Sequence, residues 1–152
     1  MSRVIILRHA KAEKLAETDF ARPLSQRGHQ QTKECRNWIS GLPFKIDQAL
    51  VSSSLRTRET WEDLKLQCPV AFSDDAYNAS AEQLVHLIRQ FNDGTETILI
   101  VGHNPGVTDL AFAHGFHGEL ATCAAVVINL DGDLAHCGLI EGDPAQVFEP
   151  VA

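Results

Sequence analysis

The sequence lacks the usual signatures of metal, redox and membrane proteins. Its four cysteines form no Cys-X-X-Cys pair, and none is followed by arginine after five residues, so the patterns typical of zinc sites and of cysteine phosphatases are missing. No apolar run approaches the roughly 18 residues that span a bilayer, and no signal peptide precedes the first strand-like run. We therefore expect mostly buried, reduced thiols in a cytoplasmic protein that does not contact a membrane.

Positive charge is also scarce. The chain has 13 Lys and Arg against 20 Asp and Glu, a formal net charge of −7 at pH 7 with His neutral. This balance disfavours nucleic acid or an anionic membrane as the main partner, and a local basic pocket would stand out against it. The 152 residues, 44% of them hydrophobic, contain no internal repeat, and we expect residues 1–152 to form a single domain.

Short apolar runs alternate with helical patterns along the chain. Strands are predicted at 4–7, 49–51, 97–101 and, as a short edge strand, at 70–72. Helices are predicted from the N-cap Ser25 to 41–43, at 55–66, from the N-cap Ser80 to 92–94, and from near Pro105. Segments 124–130 and 134–140 are expected to form a hairpin. This order predicts an α/β fold with a mostly parallel open sheet, helices on both faces and a C-terminal hairpin.

Polar residues stand at the ends of three predicted strands. Arg8 and His9 follow the run Val4–Leu7, residues 52–58 follow the second strand, and His103 follows the strand at 97–101. The carboxyl ends of parallel strands lie at one edge of a sheet, so these side chains are expected to converge. Two histidines and at least two arginines in one pocket suit a phosphoryl group, whose oxygens match the arginine fork.

These motifs resemble a known family. The histidine phosphatase superfamily, with its phosphoglycerate mutase-like fold, is similar in three motifs: Arg8-His9-Ala10, Arg56 within 52–60, and Gly102-His103-Asn104-Pro105. The short length and two further motifs resemble more specifically the SixA-type phosphohistidine phosphatases: Arg22-Pro23-Leu24-Ser25 and Arg27-Gly28. An isolated Arg-His pair would be weak evidence for this family, whereas the ordered set of motifs at these spacings is strong evidence. The resemblance covers essentially the whole chain.

The resemblance implies a two-step hydrolysis. His9 would attack phosphorus through one ring nitrogen, while a backbone carbonyl would hold the other nitrogen and select the reactive tautomer. Arg8 and Arg56 would bind the equatorial oxygens, and His103 would add a donor there. Water would then hydrolyse the phosphohistidine. No metal or cofactor is expected, because cationic side chains supply the charge.

The sequence departs from the larger members of the family, which use a carboxylate as general acid. The corresponding stretch, 77–82, has no acid at its start. Asp19 and Glu82 remain possible acids, although Glu82 also fits an ordinary first turn of a helix. Phosphohistidine leaves as an imidazole and needs little protonation, whereas a sugar phosphate leaves as a poor alkoxide, so the missing acid favours phosphohistidine. A small-molecule phosphomonoesterase and a non-catalytic phosphoprotein-binding module remain alternatives.

Other residues have both a functional and a structural interpretation. Arg22 and Asn104 are candidates for substrate binding, and Asn104 can equally cap the next helix. Lys11 could steer an anionic substrate or be solvated, and Arg58 is expected at the rim or in a structural role. His114 and His117 have a spacing that gives weak support for a metal site. The expected partner is a histidine-phosphorylated protein or a small phosphorylated molecule, bound by a monomer.

Overall fold

The apolar runs of the sequence form the central strands of one six-stranded sheet. A computed structural model describes residues 1–91 and 93–152. The strands are β1 (Ser2–Arg8), β2 (Gln48–Ser52), β3 (Val70–Ser73), β4 (Thr97–Gly102), β5 (Ala125–Leu130) and β6 (Gly142–Phe148). The helices are α1 (Gln26–Ser40), α2 (Leu55–Leu64), α3 (Ala81–Ile88) and α4 (Gly106–Ala113). The alternation of strand and helix agrees with the predicted α/β class.

The strand order in the sheet is β3-β2-β4-β1-β5-β6, with the first four strands parallel and the last two antiparallel to their neighbours. The register pairs Arg8 of β1 with Gly102 of β4. The next residue of each strand, His9 and His103, therefore leaves the sheet at the same level. The backbone N–H of His9 donates to the Gly102 carbonyl at 3.0 Å and extends this pairing by one residue.

Side chains of the sheet alternate between two apolar cores. On one face, Ile5 and Leu7 of β1 belong to a core with Cys35 of α1 and with Trp61 and Leu64 of α2. The opposite core contains Val4 and Ile6 of β1 together with residues of α3 and α4: Leu84, Ile88, Val107 and Leu110. The period of two along β1 is the ordinary geometry of a strand. The predicted placement of helices on both faces is confirmed.

Helix starts were easier to predict than helix ends. Ser25 accepts from the Gly28 N–H at 3.1 Å, and Ser80 forms a capping box with Gln83, so both predicted N-caps are confirmed. The prediction that α2 extends to residue 66 is wrong, because Lys65 adopts a left-handed conformation with φ of 55° and ends the helix. α3 ends at Ile88, whereas its end was predicted at 92–94. One residue of that predicted end, Asn92, lies outside the described residues.

The C-terminal hairpin exists, but its second strand was predicted in the wrong place. Segment 134–140 is not a strand: residues 134–136 form one 3₁₀ turn, which buries Leu134 and Cys137 in the core. The strand that pairs with β5 is β6, whose pairing is interrupted by a bulge opposite Val127 and Ile128. Pro144 lies at that irregularity, where a missing N–H is tolerated. Leu134 and Cys137 thus pack in the core without forming a strand.

Two glycines allow close approaches near the edge where β1, β2 and β4 end. A Cβ on Gly28, at the start of α1, would lie 2.1 Å from the Lys11 carbonyl oxygen, and a Cβ on Gly106, at the start of α4, would lie 2.0 Å from that of Ala79. Any side chain would therefore push apart the segments that meet there.

The cysteines agree with the sequence-based expectation. All four are free thiols; Cys35, Cys123 and Cys137 are buried, and Cys68 is half-buried. Within the part of the chain that the structure describes, no helix is both long and apolar enough to cross a membrane.

Candidate active site

The carboxyl ends of β1, β2 and β4 open into a cleft of about 610 Å³. It brings together six of the eight residues predicted as catalytic, substrate-binding or acid residues: Arg8, His9, Arg22, Arg56, His103 and Asn104. The other two, Asp19 and Glu82, do not line it. Arginine and lysine side chains outnumber the single lining carboxylate, that of Glu13, so the net charge of the cleft is opposite to that of the chain.

His9 is held in one orientation at the end of β1. Its ring Nδ1 lies 2.7 Å from the Ala10 carbonyl oxygen; because a carbonyl only accepts, Nδ1 carries the proton and Nε2 carries the lone pair. The backbone carbonyl of His9 accepts from the Cys123 N–H at 3.0 Å. Burial, reinforced by the charges of Arg56 and Arg8, lowers the pKa of His9 to about 4. At neutral pH the imidazole is uncharged and its Nε2 is nucleophilic.

His103 faces His9 across the cleft, with ring centroids 5.4 Å apart. Its Nδ1 accepts from Nη2 of Arg56 at 3.2 Å, since a guanidinium only donates, and this leaves Nε2–H to donate to the Ser52 hydroxyl at 2.8 Å. Burial and the proximity of His9 lower the pKa of His103 to about 3. The ring is therefore neutral, and both nitrogens already have partners within the protein.

Arg8 and Arg56 place guanidinium groups beside the two histidines. Arg56 is only 4% exposed; its Nη1 donates to the Asp19 carbonyl at 2.8 Å and its Nη2 to the Asp19 carboxylate at 3.1 Å. Nη1 of Arg8 donates to the Leu120 carbonyl at 3.2 Å. Within the described residues, the Nε atoms of both arginines are buried and lack a partner. Unsatisfied buried donors are uncommon in proteins, and here both belong to residues that line one cleft.

Neither candidate acid lines the cleft. The Asp19 carboxylate accepts from the Tyr77 hydroxyl, from Arg22 at 3.0 Å and from Arg56 at 3.1 Å. These hydrogen bonds, with that of Tyr77 the strongest, hold the pKa of Asp19 far below its usual range. Glu82 lies exposed in the first turn of α3 and lines a separate depression with Asp75.

The two candidates for substrate binding, Asn104 and Arg22, differ in how many of their polar atoms already have hydrogen-bond partners within the protein. Both polar atoms of Asn104 have partners within the protein: Nδ2 donates to the Leu120 carbonyl at 2.9 Å, and Oδ1 accepts from the Thr108 hydroxyl at 2.7 Å. Asn104 thus joins the start of α4 to the segment before β5. Arg22 lies at the rim, with its Nε bound to the Glu13 carbonyl at 2.7 Å and its Nη1 to Asp19.

Of the four remaining candidates from the sequence, one lines the cleft and three lie elsewhere. Lys11 lines the cleft, whereas Arg58 lies 5.4 Å from the Phe72 ring in a cation–π contact at the edge strand. His114 is buried and accepts from the Gly138 N–H at 3.3 Å, and His117 instead packs edge-to-face on Phe112. Among residues 1–91 and 93–152, no cluster of three His, Cys, Asp or Glu side chains is placed to hold a metal ion.

Several residues of the cleft were missed by the sequence analysis. Glu13, Lys14 and Leu15 reach it from the loop after β1, and Thr122 reaches it from the segment before β5. Tyr77 packs edge-to-face on His103 with ring centroids 5.4 Å apart. None of these residues stands at the end of a parallel strand, which was the signal that found Arg8, His9, Arg56 and His103, and none belongs to the motif that singled out Arg22. Ser52, whose hydroxyl binds His103, does stand at such an end, and that signal could have singled it out.

The chain is similar in sequence to known phosphatases. The family model of the histidine phosphatase superfamily (branch 1) matches residues 4–77. The phosphohistidine phosphatase SixA of Escherichia coli is 29% identical over 109 residues, which cover 68% of each chain. An uncharacterised protein of Mycobacterium leprae, ML1117, is 28% identical over 151 residues, 88% of this chain and 92% of that one.

A solved structure shares the fold over nearly its whole length. The protein histidine phosphatase SixA complexed with tungstate superposes with a TM-score of 0.84 at 24% identity, covering 97% of each chain. The chain has the phosphoglycerate mutase-like fold of the histidine phosphatases, and its sequence is similar to that superfamily over residues 4–77. These similarities indicate a phosphatase. The similarity to SixA proteins is found both in the sequence and in the fold.

Proposed function

We propose that this phosphatase hydrolyses phosphohistidine through a covalent intermediate on His9. The observation that carries the proposal is the state of the His9 ring: Nδ1 is fixed on the Ala10 carbonyl, so Nε2 is left with a free lone pair in a cleft lined by Arg8 and Arg56. A neutral imidazole with one orientation is a suitable nucleophile. The two guanidinium groups supply the positive charge that a transferring phosphoryl group needs.

In the first step, the Nε2 lone pair of His9 attacks phosphorus, and the bond between phosphorus and the leaving nitrogen breaks. The leaving nitrogen keeps the electron pair of that bond, and a proton taken from solvent on the other nitrogen of the same ring lets it leave as neutral imidazole. His9 becomes N-phosphorylated with its Nδ1–H still on the Ala10 carbonyl. In the second step, water attacks phosphorus and the phosphorus–Nε2 bond breaks. Phosphate leaves, the water proton passes to phosphate or solvent, and neutral His9 is restored.

The two arginines and His103 differ in how readily they can bind the phosphoryl oxygens. The guanidinium groups of Arg8 and Arg56, both residues of the cleft lining, provide donors for the oxygens of an anion that enters the cleft. His103 can add a donor only by exchanging a partner, because its Nε2–H is engaged with Ser52. Charge on these groups takes the place that a metal ion has in other phosphatases, so we propose that hydrolysis needs no metal and no cofactor.

The carboxylates near the cleft favour a substrate with an easy leaving group. Asp19 is ionised and Glu82 faces elsewhere, so neither supports protonation of an alkoxide. Phosphohistidine fits this arrangement, because imidazole leaves without help from a strong acid.

A small-molecule phosphomonoesterase is the second candidate, and one observation favours it. Glu13 lines the cleft and is exposed, so its carboxyl group could reach a leaving oxygen. If Glu13 is that acid, Glu13→Gln removes hydrolysis of sugar phosphates and leaves hydrolysis of phosphoramidate unchanged, since only the ester needs the proton.

A substrate panel tests the proposal. We expect phosphoramidate and a histidine-phosphorylated carrier protein to be hydrolysed at least about 10²-fold faster, in kcat/KM, than sugar phosphates, with no loss in EDTA. Phosphate release is measured directly, and His9→Asn provides the blank. Preference for sugar phosphates would contradict the proposed substrate, and loss of activity in EDTA would contradict the metal-free mechanism.

The rim suggests how the substrate is presented. Leu15 is 90% exposed beside the cleft, and Lys11 and Lys14 line it without an ion pair among the described residues. An open, cationic rim accepts a phosphoryl group borne on a protein as readily as a small molecule, so we keep both as proposed partners, with neither nucleic acid nor membrane involved. We further propose a monomer that works in the cytoplasm, where its four free thiols stay reduced.

A further inference from the structure

A single residue, Asp19, ties the loop after β1 to two other parts of the protein. Its carbonyl and carboxylate oxygens accept from Nη1 and Nη2 of Arg56 at 2.8 and 3.1 Å, and the carboxylate also accepts from Arg22 and from the Tyr77 hydroxyl. Phe20, the next residue, packs edge-to-face on Tyr77 with ring centroids 5.0 Å apart. The loop is thus fixed against α2 and against the segment before α3.

These contacts determine the position of Arg56. Two oxygens of Asp19 hold the terminal nitrogens of the guanidinium, and the same Nη2 also donates to His103. A long arginine side chain has many rotamers when free, and ordering it when a ligand binds costs affinity. Here the ordering is complete before a ligand arrives. The side chain of Arg56 is 5% exposed, so other rotamers are also restricted by packing.

Tyr77 supports the same arrangement from the other side. Its hydroxyl donates to the Asp19 carboxylate, while its ring packs edge-to-face on His103 at 5.4 Å. Both ends of this tyrosine therefore contact groups that contact Arg56. We propose that Asp19 is a positioning residue that, held by Tyr77, keeps Arg56 ready for an incoming phosphoryl group. The inference rests on the proposed function for the identity of the substrate. The phosphate-binding experiment that tests it does not depend on that function.

Charge and position make opposite predictions for Asp19. A carboxylate near an anion site repels the anion, so its removal would strengthen phosphate binding if charge alone mattered. The Asp19 side chain is 49% exposed, and solvent screens such a charge strongly. Loss of the hydrogen bonds that order Arg56 is not screened. Positioning is therefore expected to dominate, and removal of the carboxylate should weaken phosphate binding.

Binding of inorganic phosphate, measured by calorimetry, separates these effects. We expect Asp19→Ala to raise the dissociation constant about tenfold, and Asp19→Asn and Tyr77→Phe to raise it about threefold, because each keeps part of the contacts. Asp74→Asn is the matched control: it removes an exposed carboxylate that binds the Ser53 hydroxyl and does not line the cleft, so phosphate binding should not change. Thermal unfolding checks that each variant is folded.

A double-mutant cycle with Arg56 gives the decisive measurement. If Asp19 acts through Arg56, Asp19→Ala should have no further effect on phosphate binding in an Arg56→Ala background. The inference is overturned if Asp19→Asn binds phosphate as tightly as the wild type or tighter, or if Asp19→Ala keeps its full effect without Arg56. If Asp19→Ala fails to fold, the dissociation constants of phosphate for Asp19→Asn and Tyr77→Phe test the inference instead. Tenfold weaker binding in a protein that hydrolyses no phosphohistidine would contradict the proposed function and leave the positioning role intact.

Discussion

The four parallel strands and the two antiparallel strands contribute to the cleft in different ways. β1, β2 and β4 end at the cleft. His9 and His103 line it, and the buried Ser52 hydroxyl binds His103 from behind. β5 runs the other way, and the segment before it supplies mainly backbone: the Leu120 carbonyl accepts from Arg8 and Asn104, and the Cys123 N–H donates to His9. One part of the sheet provides reactive groups, and the other provides fixed peptide groups that hold them.

Strand direction explains this difference. Successive parallel strands all end at one edge, so side chains just past their ends collect there. An antiparallel strand begins at that edge, and the loop that leads into it lies against the neighbouring strand end. Substitutions at the ends of the parallel strands should therefore change activity, whereas substitutions within the antiparallel pair should change stability alone.

The largest effect is expected at the end of β1. His9→Asn removes the proposed nucleophile, and we expect kcat/KM for phosphoramidate to fall by more than about 10⁴-fold. His114→Asn is the matched control, because it alters a second buried histidine that binds the Gly138 N–H away from the cleft. Its activity should stay at the wild-type level once folding is verified. Comparable losses in both variants would show that the histidine effect is structural rather than chemical.

A smaller effect should appear as a pH dependence of stability. In the folded protein the pKa values of His9 and His103 are lowered to about 4 and about 3, against about 6.5 in the unfolded chain. Between these values the unfolded chain binds more protons, so the free energy of unfolding decreases as pH falls below about 6.5. Each histidine contributes up to about 1.4 kcal/mol per pH unit.

Denaturant unfolding at pH values from 7 to 5 measures this slope. His9→Asn should reduce it, because one of the two proton-binding sites of the unfolded chain is lost. An unchanged slope in this variant would mean that the pH dependence arises elsewhere in the molecule, and that the cleft does not hold His9 neutral.

The smallest effect is expected in the antiparallel pair. Ile128→Val in β5 removes one methyl group from a side chain that is 1% exposed in the core beside β1. The free energy of unfolding should fall by about 1 kcal/mol, the usual cost of this change, as measured by urea denaturation. The kcat/KM at 25 °C should not change, since the cleft contains no side chain of β5 or β6 among the described residues. A loss of activity would contradict the separation of the two strand groups.

The features that depend on strand ends and caps could be predicted from the sequence. Buried parallel strands have strong apolar runs, and the residues just past each run lie close to it along the chain. Arg8, His9, Arg56 and His103 could therefore be assigned to one pocket from the sequence alone. The caps Ser25 and Ser80 are local interactions within three residues and were equally accessible.

The features that could not be predicted depend on contacts between distant segments. Nothing local distinguishes Tyr77 as the donor to Asp19, because 58 residues separate the pair. Asp19 was a candidate acid for the same reason. The sequence does not show the three hydrogen-bond donors to its carboxylate, which contact it only when the loop folds over α2. β6 was missed because an edge strand with alternating exposure has a weak apolar pattern, whereas 134–140 has a stronger one.

Gly106 shows how a motif can constrain a protein through space rather than through backbone conformation. It stands three residues after His103, and the carbonyl of Ala79 occupies the volume that its side chain would need. In a saturation library, position 106 should therefore tolerate a single amino acid, although it coordinates nothing and carries out no chemistry. Selection at such a site preserves the distance between the start of α4 and the segment before α3, and a catalogue of catalytic residues would never include it.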